Sequence, residues 1–253
     1  MSEKLSNKKT SSALTWRKII GLLLWVAVGF AVAQGILLLI GFSLSKFGFF
    51  VNINKTVIQT IFAALVYLLT LVIVLGVPKW LKKSVANREE LGLTRLPSWL
   101  DIGLAPAGFV VYILATVALT ALATMLIPGF DPNQVQETGF TNLAYRYELV
   151  LAFITLVVVA PLAEEILFRG YLYGKLRKYL PVWAAILLTS VLFGVVHEQW
   201  NVAVDVFALS LVLCSLREIT GSIWAGVLLH ILKNSVAYYL LFINPSLLNI
   251  MGG

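Results

Sequence analysis

Seven apolar stretches divide the chain, at about residues 19–44, 57–77, 102–127, 148–168, 182–198, 202–216 and 222–243. Polar, basic or proline-containing connections separate them. About 20 helical residues cross about 30 Å of hydrocarbon. The pattern therefore predicts an all-α, polytopic transmembrane helical bundle of about seven spans. The fifth and sixth stretches are short for a full crossing and are expected to sit among their neighbours. The first follows Lys8, Lys9, Arg17 and Lys18, and Ala31-Val32-Ala33 has the look of a leader cleavage site. Its apolar run continues to Ile40, which reads better as a retained span. Residues 89–100 mix Leu91, Leu93, Leu96, Trp99 and Leu100 with Arg95 and the adjoining Arg88, the composition of an amphipathic segment on the inner surface. An interfacial helix there makes an eighth element. The polar stretch 128–147 reads equally as a lid or a linker.

Composition narrows the class. The chain has 253 residues, 60% hydrophobic and 12% charged, with a mean hydropathy of +0.92. That is too little charge to cover a water-facing surface, so soluble globular and disordered classes are excluded. The net charge of +7 sits between apolar runs, which points to membrane orientation rather than nucleic acid. Of 19 basic residues, those before the first stretch and in the second-to-third, fourth-to-fifth and sixth-to-seventh connections fall on one side. Lys46, Lys55 and Arg146 fall on the other, and Lys233 lies within the last stretch. The bias predicts a multi-pass cell-membrane protein with a cytoplasmic N-terminus and the lipid bilayer as its partner. The single cysteine, Cys214, permits no intrachain disulfide.

Charged groups in a bilayer cost roughly 2.5–3.5 kcal/mol each on insertion scales and are candidates for function. The fourth stretch carries Glu164, Glu165 and Arg169, the fifth His197, the sixth Asp205, and the seventh His230, Lys233 and Asn234. Both histidines of the chain are in this set. Glu165 and Arg169 are spaced i,i+4 and can pair along one helix face, while Glu164 points about 100° away. His230 and Asn234 share the same spacing and can face one cavity. With inner turns near residues 179–181 and 218–221, Glu164, His197, His230 and Asn234 fall in one layer, since each helical residue rises about 1.5 Å.

Such a layer has a chemistry. A carboxylate and an imidazole can activate water and relay its proton. A second imidazole and an amide can donate to an oxyanion. Alternatively Glu164, His197 and His230 can ligate a metal such as Zn2+ with one open position. The short His-Glu-x-x-His zinc motif is absent, because position 201 is Asn. Blander readings stand beside these. Loop charge bias accounts for Arg169, Lys175, Arg177 and Lys178, an interhelical hydrogen bond for Asn234, and an Asn201 partner for Asp205.

Glu164-Glu165-x-x-x-Arg169, Phe193-x-x-x-His197 and His230-x-x-x-Asn234, in this order on separate apolar helices, resemble the CPBP family of CAAX proteases and bacteriocin-processing proteins. The resemblance covers roughly 148–243, as a catalytic core between N-terminal spans (1–147) and a short tail (244–253). It implies an intramembrane endopeptidase acting on a membrane-associated protein or peptide. Glu164 and His197 are then the water-activating pair, His230 and Asn234 the oxyanion site, and Glu165 and Arg169 supporting residues. The family leaves zinc and metal-free mechanisms both open. Where glycines are common in the family's penultimate helix, Ser210 and Cys214 are small enough for close packing. A non-catalytic scaffold or immunity-type protein of the same fold is the alternative, and a proton-coupled transporter a more distant one.

Overall fold

The computed structural model describes residues 2–51, 53–81, 86–134, 143 and 145–247, with side chains from Thr15 onward. Seven helices run through them: α1 (Ser2–Lys46), α2 (Lys55–Trp80), α3 (Trp99–Leu126), α4 (Arg146–Leu176), α5 (Val182–Val195), α6 (Trp200–Thr220) and α7 (Trp224–Ile243). No strand occurs among the described residues. From Thr15 on, α1 is long and apolar enough to cross a membrane, and so are α2, α3, α4 and α7. The chain is an all-α, multi-pass membrane bundle. α5 is shorter, as its apolar run implied, whereas α6 extends to 21 residues.

Local chemistry sets the helix ends. Asn54 caps α2 by accepting from the Thr56 amide at 2.8 Å, and its own amide donates to Glu148 at the start of α4. Ser98 and Asp101 form a reciprocal capping box at the start of α3, and Asp101 also pairs with Arg95. α6 stops at Gly221, whose φ of 65° is a left-handed cap.

α6 packs between α5 and α3, and α7 lies against α3, α6 and α4. α4 is the hub, touching α1, α2, α5, α6 and α7. Ser210 and Cys214 of α6 are fully buried, as close packing there requires. Outward-facing side chains such as Leu38, Leu114 and Met125 are exposed and apolar, as lipid demands.

Two stretches of α4, Ile154–Val159 and Glu165–Leu172, are π-helical. Pro161 gives a reason for the first. Ala160 donates to Thr155 rather than to Leu156, and Pro161 has no N–H to offer. The Leu156 carbonyl is thus left without a backbone donor.

The expected interfacial helix over 89–100 does not form. Residues 88–92 are turns, with Gly92 at φ 67°, and Pro97 precedes the α3 cap. Long-range bonds decide the conformation. Gly92 O accepts from Ile223 N and Ser222 Oγ, both at 3.2 Å. Arg217 donates to the Glu89 and Glu90 carbonyls, and Trp224 Nε1 to Arg95 O at 2.7 Å. Glu90 pairs with Lys175 at 2.8 Å and with Lys178. Gly170 and Gly174 of α4 press against the Leu91 and Glu90 carbonyls, leaving no room for a side chain at Gly174. Of the stretch 128–147 that reads as lid or linker, residues 135–142 and 144 lie outside the described residues.

Candidate active site

Three helices bring the motif residues together. Glu164 and Glu165 straddle His230 of α7. His230 Nδ1 lies 3.0 Å from Glu165 Oε1, and Nε2 lies 3.7 Å from Glu164 Oε2. The first is a hydrogen bond and the second is longer than one. Glu165 Oε1 also accepts from Arg169 Nη1 at 2.8 Å, the i,i+4 pair expected from spacing. Both partners are fully buried. Arg169 was also counted with the loop charges that orient the chain. The structure corrects that reading, because its guanidinium lies 4.2 Å from the ring centre of Phe193, inside the bundle. Phe193 is fully buried, and the rings of Phe168, His197 and His230 surround it, with centres 4.9, 5.0 and 6.0 Å away.

His197 lies just past α5 rather than within it. The helix ends at Val195, residues 196–198 turn tightly, and Glu198 takes φ 59°. The apolar pair Val195-Val196 continues the sequence pattern, but the backbone has already left the helix. His197 Nδ1 sits 2.7 Å from Phe193 O. A carbonyl only accepts, so this contact assigns the proton to Nδ1 and leaves a lone pair on Nε2.

Glu164 and His197 line one cavity of about 380 Å³. Leu23, Val26, Ala27, Phe30, Ala31 and Gln34 of α1 form one wall, and Leu167, Phe168, Leu192 and Phe193 contribute to the other. Neither His230 nor Asn234 lines this cavity. Asn234 turns instead toward α4, where its Nδ2 donates to Leu156 O at 2.8 Å. That is the carbonyl stranded by Pro161, so the amide replaces the missing backbone donor.

Two partnerships had no signal in local sequence. Tyr67 of α2 donates from its hydroxyl to Glu164 Oε1 at 2.7 Å, across 97 positions. Asp205 does not pair with Asn201. It accepts from Tyr112 at 2.5 Å and pairs with Lys233 at 3.1 Å, while Asn201 donates to Gln134 O at 2.6 Å. A tyrosine midway along an apolar stretch was the one available hint of the first.

The metal set Glu164, His197 and His230 does not gather as ligands. Among the described residues no three His, Cys, Asp or Glu side chains come together in a way that can hold a metal ion. His230 Nδ1 is engaged by Glu165 and His197 Nδ1 by Phe193 O. Both contacts leave Nε2 free, as in metal-bound histidines, so it is only the separation of the three side chains that speaks against a shared ligand set.

Residues 146–236 match the family described as type II CAAX prenyl endopeptidase Rce1-like. Among curated proteins, a 24.3 kDa protein of Escherichia coli is 33% identical over 88 residues, covering 33% of this chain and 41% of its own length. The Bacillus subtilis protein named "Putative membrane peptidase YdiL" is 24% identical over 180 residues, 70% of each chain. The protein YxdF of Lactococcus lactis is 31% identical over 97 residues, 37% of this chain and 51% of its own. The match thus spans about half the length of the first and third of these relatives. No solved structure matches the chain. The matched stretch holds Glu164, Glu165, Arg169, His197, His230 and Asn234, so it is in residues 146–236 that the chain is similar to the Rce1-like endopeptidases.

Proposed function

We propose that the chain is an intramembrane endopeptidase that hydrolyses a peptide bond of a membrane-associated protein or peptide. The observation that carries this reading is the shared cavity, in which a carboxylate from α4 and an imidazole from the α5 end meet behind an apolar wall. The printed name of the Bacillus subtilis relative points the same way.

The chemistry follows from the hydrogen-bond partners. A water held by Glu164 and His197 loses a proton to the carboxylate as its oxygen attacks the scissile carbonyl carbon. Glu164 Oε1 is engaged by Tyr67, so Oε2 is the oxygen free to take that proton. The carbonyl oxygen gains negative charge. The family resemblance gives His230 and Asn234 as the donors to that charge; neither lines the cavity, so in this reading each turns from its contact with Glu165 or Leu156 O toward the carbonyl oxygen as substrate binds. The proton then passes through Glu164 and His197 to the departing amine as the C–N bond breaks. Nothing in this sequence of steps requires a metal, and the expected rate is unchanged by chelators. Zn2+ dependence is the competing expectation, and a chelator-sensitive rate overturns the metal-free sequence.

The test compares membranes from cells expressing the full chain or Glu164→Ala at equal levels, with peptide ends counted by mass spectrometry. Ends that appear only with the wild type establish proteolysis and identify a substrate. Identical ends, with both proteins folded and inserted, overturn the reading, and partner binding that survives Glu164→Ala then favours the scaffold alternative. The charge bias further places the N-terminus in the cytoplasm in this proposal, which residue-specific labelling of Lys4 or Lys55 from either side checks.

A further inference from the structure

We infer that Tyr67 is a positioning residue of the catalytic site, acting through Glu164. The inference rests on the endopeptidase reading and extends it to a helix that the family match does not include. That match begins at residue 146, whereas Tyr67 lies on α2. Its hydroxyl donates to Glu164 Oε1 at 2.7 Å, within the same cavity that Glu164 and His197 line.

Three facts give the contact its consequence. First, Glu164 is nearly buried, so few waters compete for its oxygens. Second, no other residue makes a hydrogen bond to the Glu164 carboxylate among the described residues, since His230 Nε2 stands off at 3.7 Å. Third, a glutamate side chain has three rotatable bonds, and an unanchored carboxylate can swing either oxygen toward the water. The Tyr67 hydroxyl removes that freedom. It engages Oε1 and so commits Oε2 to the proton transfer. A phenol bonded in this way also forms a charge-assisted hydrogen bond, stronger than a neutral one.

The contact is made at the cavity rather than in the core. Tyr67 is only partly buried, and its ring is one of the few aromatic groups of α2. A purely structural role would be served by phenylalanine, which fills the same space without the hydroxyl. Tyr67→Phe therefore separates packing from chemistry.

The experiment uses the full chain in vesicles and the peptide identified from the Glu164-dependent ends. Tyr67→Phe is expected to lower kcat by about tenfold or more, the scale of one lost hydrogen bond to a charged group, with KM unchanged. Replacing Tyr67 by 3-fluorotyrosine, which keeps the hydroxyl, is expected to restore the rate. A full rate with Tyr67→Phe, or an equal loss with 3-fluorotyrosine, overturns the inference and leaves the endopeptidase reading intact. If Tyr67→Phe proves poorly folded, 4-fluorophenylalanine at position 67 takes its place, since it fills the para position without a proton to donate, and a full rate with it overturns the inference. An absence of any Glu164-dependent cleavage overturns both.

Discussion

Arg169 and Glu165 show what a buried charge in this bundle must do. Each is fully enclosed, and each meets the other at 2.8 Å, with His230 Nδ1 on the same Glu165 oxygen, Oε1. Removing one partner strands the other. Arg169→Leu is expected to destabilise the folded chain by about 3–5 kcal/mol, as broken buried pairs commonly do. The paired change Glu165→Leu with Arg169→Leu is expected to cost less than the two single changes together. Thermal unfolding of the four proteins in one detergent measures the difference, and strict additivity would sink the idea of a mutually dependent pair. The i,i+4 spacing made this pair legible in the sequence. The spacing gave no access to Tyr67, because nothing near residue 67 announces a partner 97 positions away. Asp205 was misassigned for the same reason. Asn201 was its nearest polar neighbour on the helix, but the partners came from α3 and α7.

At the scale of the element, α4 is shaped by a proline and repaired by a side chain. Pro161 leaves Leu156 O without a backbone donor, and Asn234 of α7 supplies one. Asn234→Leu is expected to cost about 1–3 kcal/mol, the penalty of leaving a buried carbonyl unsatisfied. Pro161→Ala restores an N–H within reach of that carbonyl, so the cost of Asn234→Leu is expected to shrink in the Pro161→Ala background. An unchanged cost would show that Asn234 does nothing for α4. Helix type and approximate extent were readable from apolar runs, and six of the seven stretches lie within the corresponding helix or overrun it by only a residue or two. The end of α5 was not readable, because Val195 and Val196 keep the apolar pattern going while the backbone turns. The interfacial segment failed for a different reason. Its composition suits a helix or an irregular strap equally, and the bonds from Arg217, Ser222, Ile223 and Trp224 choose the strap.

Over the whole molecule, that strap ties the N-terminal spans to the helices that carry the motif residues. Glu90 holds Lys175 and Lys178 of the α4 end, and Arg217 of α6 holds the strap backbone. Burial pushes the Glu90 carboxyl up, but the hydrogen bonds from Lys175 and Lys178 outweigh it and hold the group below the ordinary carboxylate range. A depressed folded value means that this stabilisation is complete above the unfolded pKa, about 4.3. It is lost as pH falls through the lower folded value. Wild type is therefore expected to lose part of its thermal stability between neutral pH and acid below about pH 4. Glu90→Gln is expected to remove that part of the pH dependence, and a Gln variant with the wild-type pH curve would exclude Glu90 as its source. The bundle class and the order of the spans could be read from hydropathy alone. The meeting of distant spans at Glu164 could not, since it depends on which helix packs on which.

The α1 wall of the cavity carries one more consequence. The groups proposed for chemistry occupy one stretch of the chain, and the side chains from Leu23 to Gln34 that face them occupy another. A substitution at Ala27 or Ala31 changes the room beside Glu164 without touching a motif residue. On the proposed endopeptidase reading, the groups that react and the wall that receives a partner are therefore written in separate parts of the gene, and each is free to drift without the other. On that reading, two proteins with the same six motif residues can come to take different partners, and an exchange of α1 alone is expected to move one toward the other.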